Sequence, residues 1–80
     1  MDRASITKEL ENVFAKVFRR PIALRDDLTA SQVEGWDSMT NIRLLDAVER
    51  TFSISLSVSE VMSLASVGSL IDLIHAKKPG

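Results

Sequence analysis

Few residues in this chain could do chemistry, and the most informative of them is Ser38, within Glu34-Gly35-Trp36-Asp37-Ser38-Met39. Turn-type residues there give way to an apolar-periodic stretch, so the hydroxyl lies at a helix start. The free N–H groups of such a start suit an anionic oxygen. A serine oxygen so placed can accept a phosphoryl group and keep the resulting phosphodiester in a favourable field. Ser and Asp are also preferred at helix starts for structural reasons alone, so a simple cap is the competing explanation. The other groups offer less. His75 is the single histidine, and no serine and acid are arranged around it as a nucleophilic triad requires. It suits a helix C-terminal end, where cations are favoured. Asp26 and Asp27 are adjacent acids of a kind that usually face water. No spacing resembles a calcium loop or a histidine zinc site, so no metal is expected. Gly35, Gly68 and Gly80 are too sparse for a phosphate-cradling loop. With no cysteine there is no disulfide, thiolate nucleophile or thiolate-bound zinc. No residue is assigned a catalytic role, and an enzyme is a poor fit.

Composition narrows the field further. Eighty residues, 45% of them hydrophobic, fit one folded domain spanning 1–80 with a modest core. A formal charge of −1 gives no electrostatic footprint for nucleic acid. No stretch approaches the roughly 18–20 apolar residues of a membrane span. Met1-Asp2-Arg3-Ala4-Ser5 is polar and lacks the apolar core of a secretory signal. A cytoplasmic monomer is the expected state.

The elements that must position Ser38 are helical. Ile6, Leu10, Val13, Phe14, Val17 and Phe18 recur at spacings of three and four, which predicts a first helix of about four turns. Arg19 and Arg20 suit its end, and Pro21 stops it. Residues 21–35 read as a long ordered loop pinned by Ile22, Leu24, Leu28 and Val33. Loops of such length inside a small domain are uncommon unless functional. Ser31 and Glu34 have capping-box spacing and allow a short helical turn. The second helix starts at Asp37 or Ser38. Its main stripe is Met39, Ile42, Leu45, Val48 and Phe52, widened by Leu44 and Ala47. Residues 53–57 alternate, but an isolated strand would lack a partner, so they read as a connector. Ser57 and Glu60 open a short third helix through Leu64, with Val58, Val61 and Met62 apolar. Ser66 caps a last helix whose face is Val67, Leu70, Ile71 and Ile74, and residues 75–80 fray. The expected architecture is all-α, a four-helix bundle of three longer helices and one short one. Such a bundle says nothing about activity by itself.

At this point the chain resembles the acyl carrier protein family, whose signature is Asp-Ser-Leu or Asp-Ser-Met, preceded by a glycine and followed by an apolar helix ending in Phe. Here the signature reads Gly35-Trp36-Asp37-Ser38-Met39, followed by residues 44–52, Leu-Leu-Asp-Ala-Val-Glu-Arg-Thr-Phe. The resemblance covers the chain end to end, including Asp26-Asp27-Leu28, Phe52-Ser53-Ile54 and Val67-Gly68-Ser69-Leu70. It implies that Ser38 carries a covalent 4′-phosphopantetheine taken from coenzyme A by a phosphopantetheinyl transferase. Asp37 would be the neighbouring acid of the motif and Met39 an apolar residue on which partners rest. The remaining implied partners are acyl-loading and acyl-transfer or condensing enzymes. The physical logic agrees, since a chain without a thiol needs an arm to hold a thioester.

Departures from the family pattern carry information. Residues 37–50 hold Asp37, Asp46 and Glu49 against Arg43 and Arg50, where carriers of primary fatty-acid synthesis resemble one another in a strongly acidic second helix. Thr40 and Arg43 stand where those carriers usually have acids. A specialised pathway, secondary-metabolite, lipid or polysaccharide-modifying, is therefore expected. Partner recognition is assigned to Trp36, Asp37, Met39, Ile42, Arg43, Val61 and Met62. Trp36 is equally readable as a lid on the bundle end, and Val61 and Met62 as core. Two alternatives stay open: a peptidyl or aminoacyl carrier of the same fold, and an unmodified helical interaction module in which Ser38 merely caps.

Overall fold

A computed structural model of the protein describes residues 2–78. Four α-helices run in the order α1 (Arg3–Phe18), α2 (Ser38–Phe52), α3 (Val58–Met62) and α4 (Val67–Lys77), with a 3-10 turn at Ala30–Gln32 between the first two. No strand occurs among the described residues. The all-α, four-helix expectation holds.

The apolar stripes explain the packing. α1 turns Ile6, Leu10, Val13 and Phe14 inward, α2 contributes Leu44, Val48 and Phe52, and α4 contributes Val67, Leu70, Ile71 and Ile74. α1 packs against both α2 and α4. The long loop is ordered by Leu28 and Val33, both buried in the same core. The start of α4 docks on this loop: the Val67 N–H donates to the Leu28 carbonyl at 2.8 Å, and the Gly68 N–H to the Asp26 carbonyl at 2.9 Å. A guanidinium from α1 closes the junction, because Arg3 pairs with Asp26 at 2.9 Å and also with Asp72 of α4. α3 buries no residue fully and is held at its edge, where Lys77 of α4 reaches Glu60 at 3.0 Å.

Local signals account for most boundaries. Asp2, Asp37, Ser57 and Ser66 cap the four helices in order, each accepting a first-turn backbone N–H. The Ser57–Glu60 capping box forms as its spacing predicts. Four details differ. The 3-10 turn is capped from Thr29, with Gln32 completing the box, and not from Ser31. α1 ends at Phe18 because Arg19 takes the left-handed conformation at φ 60°, so the backbone has turned before Pro21 is reached. Met39 and Ile42 are 65% and 69% exposed, because the buried line of α2 runs through Leu44, Val48 and Phe52. α4 continues through His75 to Lys77, whose pairing with Glu60 holds the last turn that was expected to fray; Pro79 and Gly80 lie outside the described residues.

The caps set a pH response. The carboxyl groups of Asp2, Asp37 and Glu60 are all held below their ordinary values, chiefly by backbone hydrogen bonds at Ser5, Thr40 and Ser57 respectively. A carboxylate with a lowered folded pKa contributes stability above its unfolded pKa and loses it as pH falls through the folded value. Stability should therefore be level near neutrality and decline once pH drops below about 4–5, the ordinary carboxylate range. Asp37→Asn keeps a good capping side chain without the titration. Chemical denaturation across that range should give it a shallower acid decline than wild type, with little change at neutral pH.

Candidate functional site

Ser38 is the first residue of α2, exposed, one position past the cap. The cap is Asp37: its carboxylate accepts the Thr40 N–H at 2.9 Å, and that bond is the main cause that holds its pKa below the ordinary carboxylate value. Ser38 is thus relieved of capping, and its hydroxyl makes no hydrogen bond among the described residues. The reading of Ser38 as only a cap loses its physical basis here. Upstream, Gly35 adopts φ +87°, with nothing within 4 Å of where a Cβ would stand. That left-handed turn favours glycine, and the space beside it is open. The turn is anchored where Arg20 donates to the Glu34 carbonyl at 2.6 Å.

Trp36 is half-buried, with its ring edge-on to Phe14 at 5.4 Å and to Phe18 at 5.9 Å. Its indole N–H donates to the Asn41 Oδ1 at 3.0 Å. The ring therefore covers the aromatic end of the core and ties the loop to α2. Behind Ser38 lies a cavity of about 400 Å³. Its apolar wall includes Leu44, Leu45, Val61, Leu64 and Leu70, while Trp36, Asp37, Ser38, Asn41 and Ser66 supply the polar part. The structure separates the two residues of α3 that sequence alone left undivided: Val61 faces this cavity, whereas Met62 is 81% exposed. Asn41 was missed. Its spacing of three from Ser38, which puts both on one helix face, was the available signal.

The remaining recognition candidates are exposed. Met39 and Ile42 on α2, and Met62 on α3, are all at least 65% accessible, as is the neighbouring Val58, which was not among the candidates. Each acid of α2 and its cap has a partner: Asp46 pairs with Arg50 at 3.3 Å, Glu49 accepts the Leu56 N–H at 2.7 Å, and the cap Asp37 accepts the Thr40 N–H. Arg43, exposed, has no ion-pair partner among the described residues. No cluster of His, Asp or Glu able to hold a metal occurs among the described residues, and no helix there is long and apolar enough to cross a membrane.

An exposed, uncommitted hydroxyl at a helix start, backed by a cavity of mixed polar and apolar lining in a four-helix bundle, has the form of a carrier domain. Comparison with known proteins agrees. The family model described as the phosphopantetheine attachment site matches residues 8–74, and the chain belongs to that family. Similar to it, at 28% identity over 80 residues and 99% of this chain, is a non-reducing polyketide synthase (dbaI) of Emericella nidulans. The chain spans about 3% of that synthase's length. Among solved structures, the solution NMR structure of a holo acyl carrier protein from Geobacter metallireducens matches with a TM-score of 0.87 and 28% identity, covering 91% of this chain and 85% of that one. The chain is a carrier of the acyl carrier type rather than a catalyst, and its cofactor is a covalently attached phosphopantetheine. When bound, that arm supplies the thiol this sequence lacks.

Proposed function

We propose that Ser38 is the residue that bears the 4′-phosphopantetheine, and that the chain carries acyl intermediates as thioesters to the enzymes of a specialised pathway. The observation that supports this reading most is the division of labour at the start of α2. Asp37 takes the cap and Ser38 is left exposed and unengaged. The residues fit the group. The hydroxyl is the group that accepts the phosphoryl, and the positive end of the helix favours the phosphodiester that results. The open turn at Gly35 leaves a transferase room to approach, and the cavity behind Ser38 can shelter apolar cargo. Likeness to a polyketide synthase and to an acyl carrier protein favours an acyl cargo over an aminoacyl one. On this reading residues 1–80 form one carrier unit, a cytoplasmic monomer served by a phosphopantetheinyl transferase and by loading and condensing enzymes. Incorporation of a fluorescent pantetheine from its coenzyme A conjugate tests the assignment: wild type should label stoichiometrically and Ser38→Ala should stay dark. Equal labelling of both would move the site elsewhere.

The docking face we assign to these enzymes comprises Met39, Ile42 and Arg43 on α2 and Met62 on α3, with Trp36, Asp37 and Val61 at its inner border. Each acid of α2 and its cap has a hydrogen-bond or ion-pair partner within the chain, and Arg43 is the one charged side chain of α2 without one among the described residues. The partner is thus an enzyme with an apolar hollow and a carboxylate opposite Arg43, not the basic patch met by acidic carriers. Charges at an interface rim act mainly on encounter rate. Arg43→Glu should slow loading by the dedicated enzyme about tenfold at low salt, less as screening rises. It should at the same time improve recognition by enzymes built for acidic carriers. Unchanged rates with both classes would place specificity elsewhere.

A further inference from the structure

We infer that the side-chain amide of Asn41, oriented by Trp36, favours cargo bearing a ketone oxygen in the part of the chain that enters the cavity behind Ser38. This inference rests on the carrier reading and goes beyond it to the chemical class of the cargo. An indole nitrogen is a donor only, so the 3.0 Å contact from Trp36 fixes Oδ1 of Asn41 as the acceptor and removes the ambiguity of the amide's orientation. The indole is itself held by Phe14 and Phe18, so the amide cannot readily turn over. What remains is the Nδ2 group, with two N–H donors and no acceptor among the described residues. Asn41 is half-buried and lines the cavity.

The other polar groups of the wall are already used. Ser66 caps α4, accepting the Ser69 N–H at 3.3 Å. Asp37 accepts the Thr40 N–H and is exposed, and the Ser38 hydroxyl ceases to be a donor once it is esterified. The half-buried part of the wall therefore offers the Asn41 donors, with Leu44, Leu45, Val61, Leu64 and Leu70 around them, while the accepting oxygens of Asp37 stay at the exposed rim. A group that only accepts fits this balance. A ketone oxygen does so, whereas an amide of the pantetheine arm also brings an N–H that this donor cannot satisfy. A saturated chain would cover the Asn41 donors with hydrocarbon and leave them unpaired, which is unfavourable wherever water is excluded.

The test compares the protein with the bare arm, with a hexanoyl thioester and with a β-oxohexanoyl thioester, each loading first verified by mass. A chain that takes up no arm at all would overturn the attachment reading and this inference with it. In the loaded proteins, side-chain NMR signals of Asn41 Nδ2 and Trp36 Nε1, and the methyl signals of Leu45 and Val61, report cargo in the cavity. The β-oxo chain should shift the Asn41 amide signals and raise the ratio of sequestered to free cargo about tenfold over the saturated chain, a tenfold equilibrium change being about 1.4 kcal/mol. Asn41→Asp keeps the acceptor for Trp36 but replaces the donors, so its indole signal should persist while the preference for the β-oxo chain disappears. Asn41→Ala should lose the preference as well. Equal sequestration of both cargoes in wild type, or a preference that survives in Asn41→Asp, overturns the inference. A full shift of the Asn41 signals with the bare arm or with hexanoyl also does so, assigning the donor to an arm amide or to the thioester carbonyl.

Discussion

Phe14→Ala is expected to remove about 3–5 kcal/mol of stability, the cost of truncating a buried phenylalanine in a core that cannot fully collapse. Phe14 is fully buried. Its ring stacks on Phe18 at 5.6 Å and meets Trp36 edge-on. For a domain of this size the whole folding free energy is on the order of 5–10 kcal/mol, so the variant should be close to unfolding at moderate temperature. The loss should reach the site as well, because the indole that rests on Phe14 is the one that holds Asn41. Ser38→Ala supplies the contrast. Ser38 is exposed and Asp37 holds the cap, so this variant should melt within about 2–4 °C of wild type, an exposed change of this kind altering stability by less than about 0.5 kcal/mol. Thermal melts followed by helical signal measure both. Equal large losses would make Ser38 structural, and a mild Phe14→Ala would mean that the aromatic end repacks.

Gly68→Ala should also destabilise, against the usual trend. Alanine exceeds glycine in helix propensity by about 1 kcal/mol, so in open space the change would help. At Gly68 the added Cβ would lie 2.8 Å from the Asp26 carbonyl oxygen and 3.0 Å from the Asp26 Cβ. The nearest obstacle is backbone, and that same carbonyl accepts the Gly68 N–H. Relief requires α4 to lift from the loop, which would stretch the bonds to Asp26 and Leu28 together. A net cost of about 1–3 kcal/mol follows from overpacking of this kind. In a domain this small each kcal/mol corresponds to about 4–8 °C in Tm. A melting temperature equal to or above wild type would show that the loop yields and that the junction is soft.

The helices and two of their four caps were legible because their signals are local. Spacings of three and four mark α1 and α4, and Ser57 and Ser66 stand where a capping side chain must; the cap of α2 is Asp37, one residue before the Ser38 for which the sequence offered that role. The Asp-Ser-Met motif led directly to Ser38. What escaped was whatever tertiary contact decides. Met39 and Ile42 continue the apolar pattern of α2, but helix rotation is set by packing against α1, and that packing leaves both in solvent. Arg19 ends α1 in a left-handed conformation for which an arginine gives no warning. Lys77 stays helical because Glu60, seventeen residues earlier, is in reach. Asn41 read as an ordinary polar residue on the second helix; only the closed structure brings it under the indole of Trp36 and against the cavity.

The attachment of a phosphopantetheine to Ser38 is tested most directly by mass. The purified chain, incubated with coenzyme A, magnesium and a broad-specificity phosphopantetheinyl transferase, should gain a single phosphopantetheine. Fragmentation of the modified peptide should place it on Ser38, and Ser38→Ala, folded by the same melt, should gain nothing. An unchanged mass with several transferases, or an arm found on another serine, would contradict the assignment.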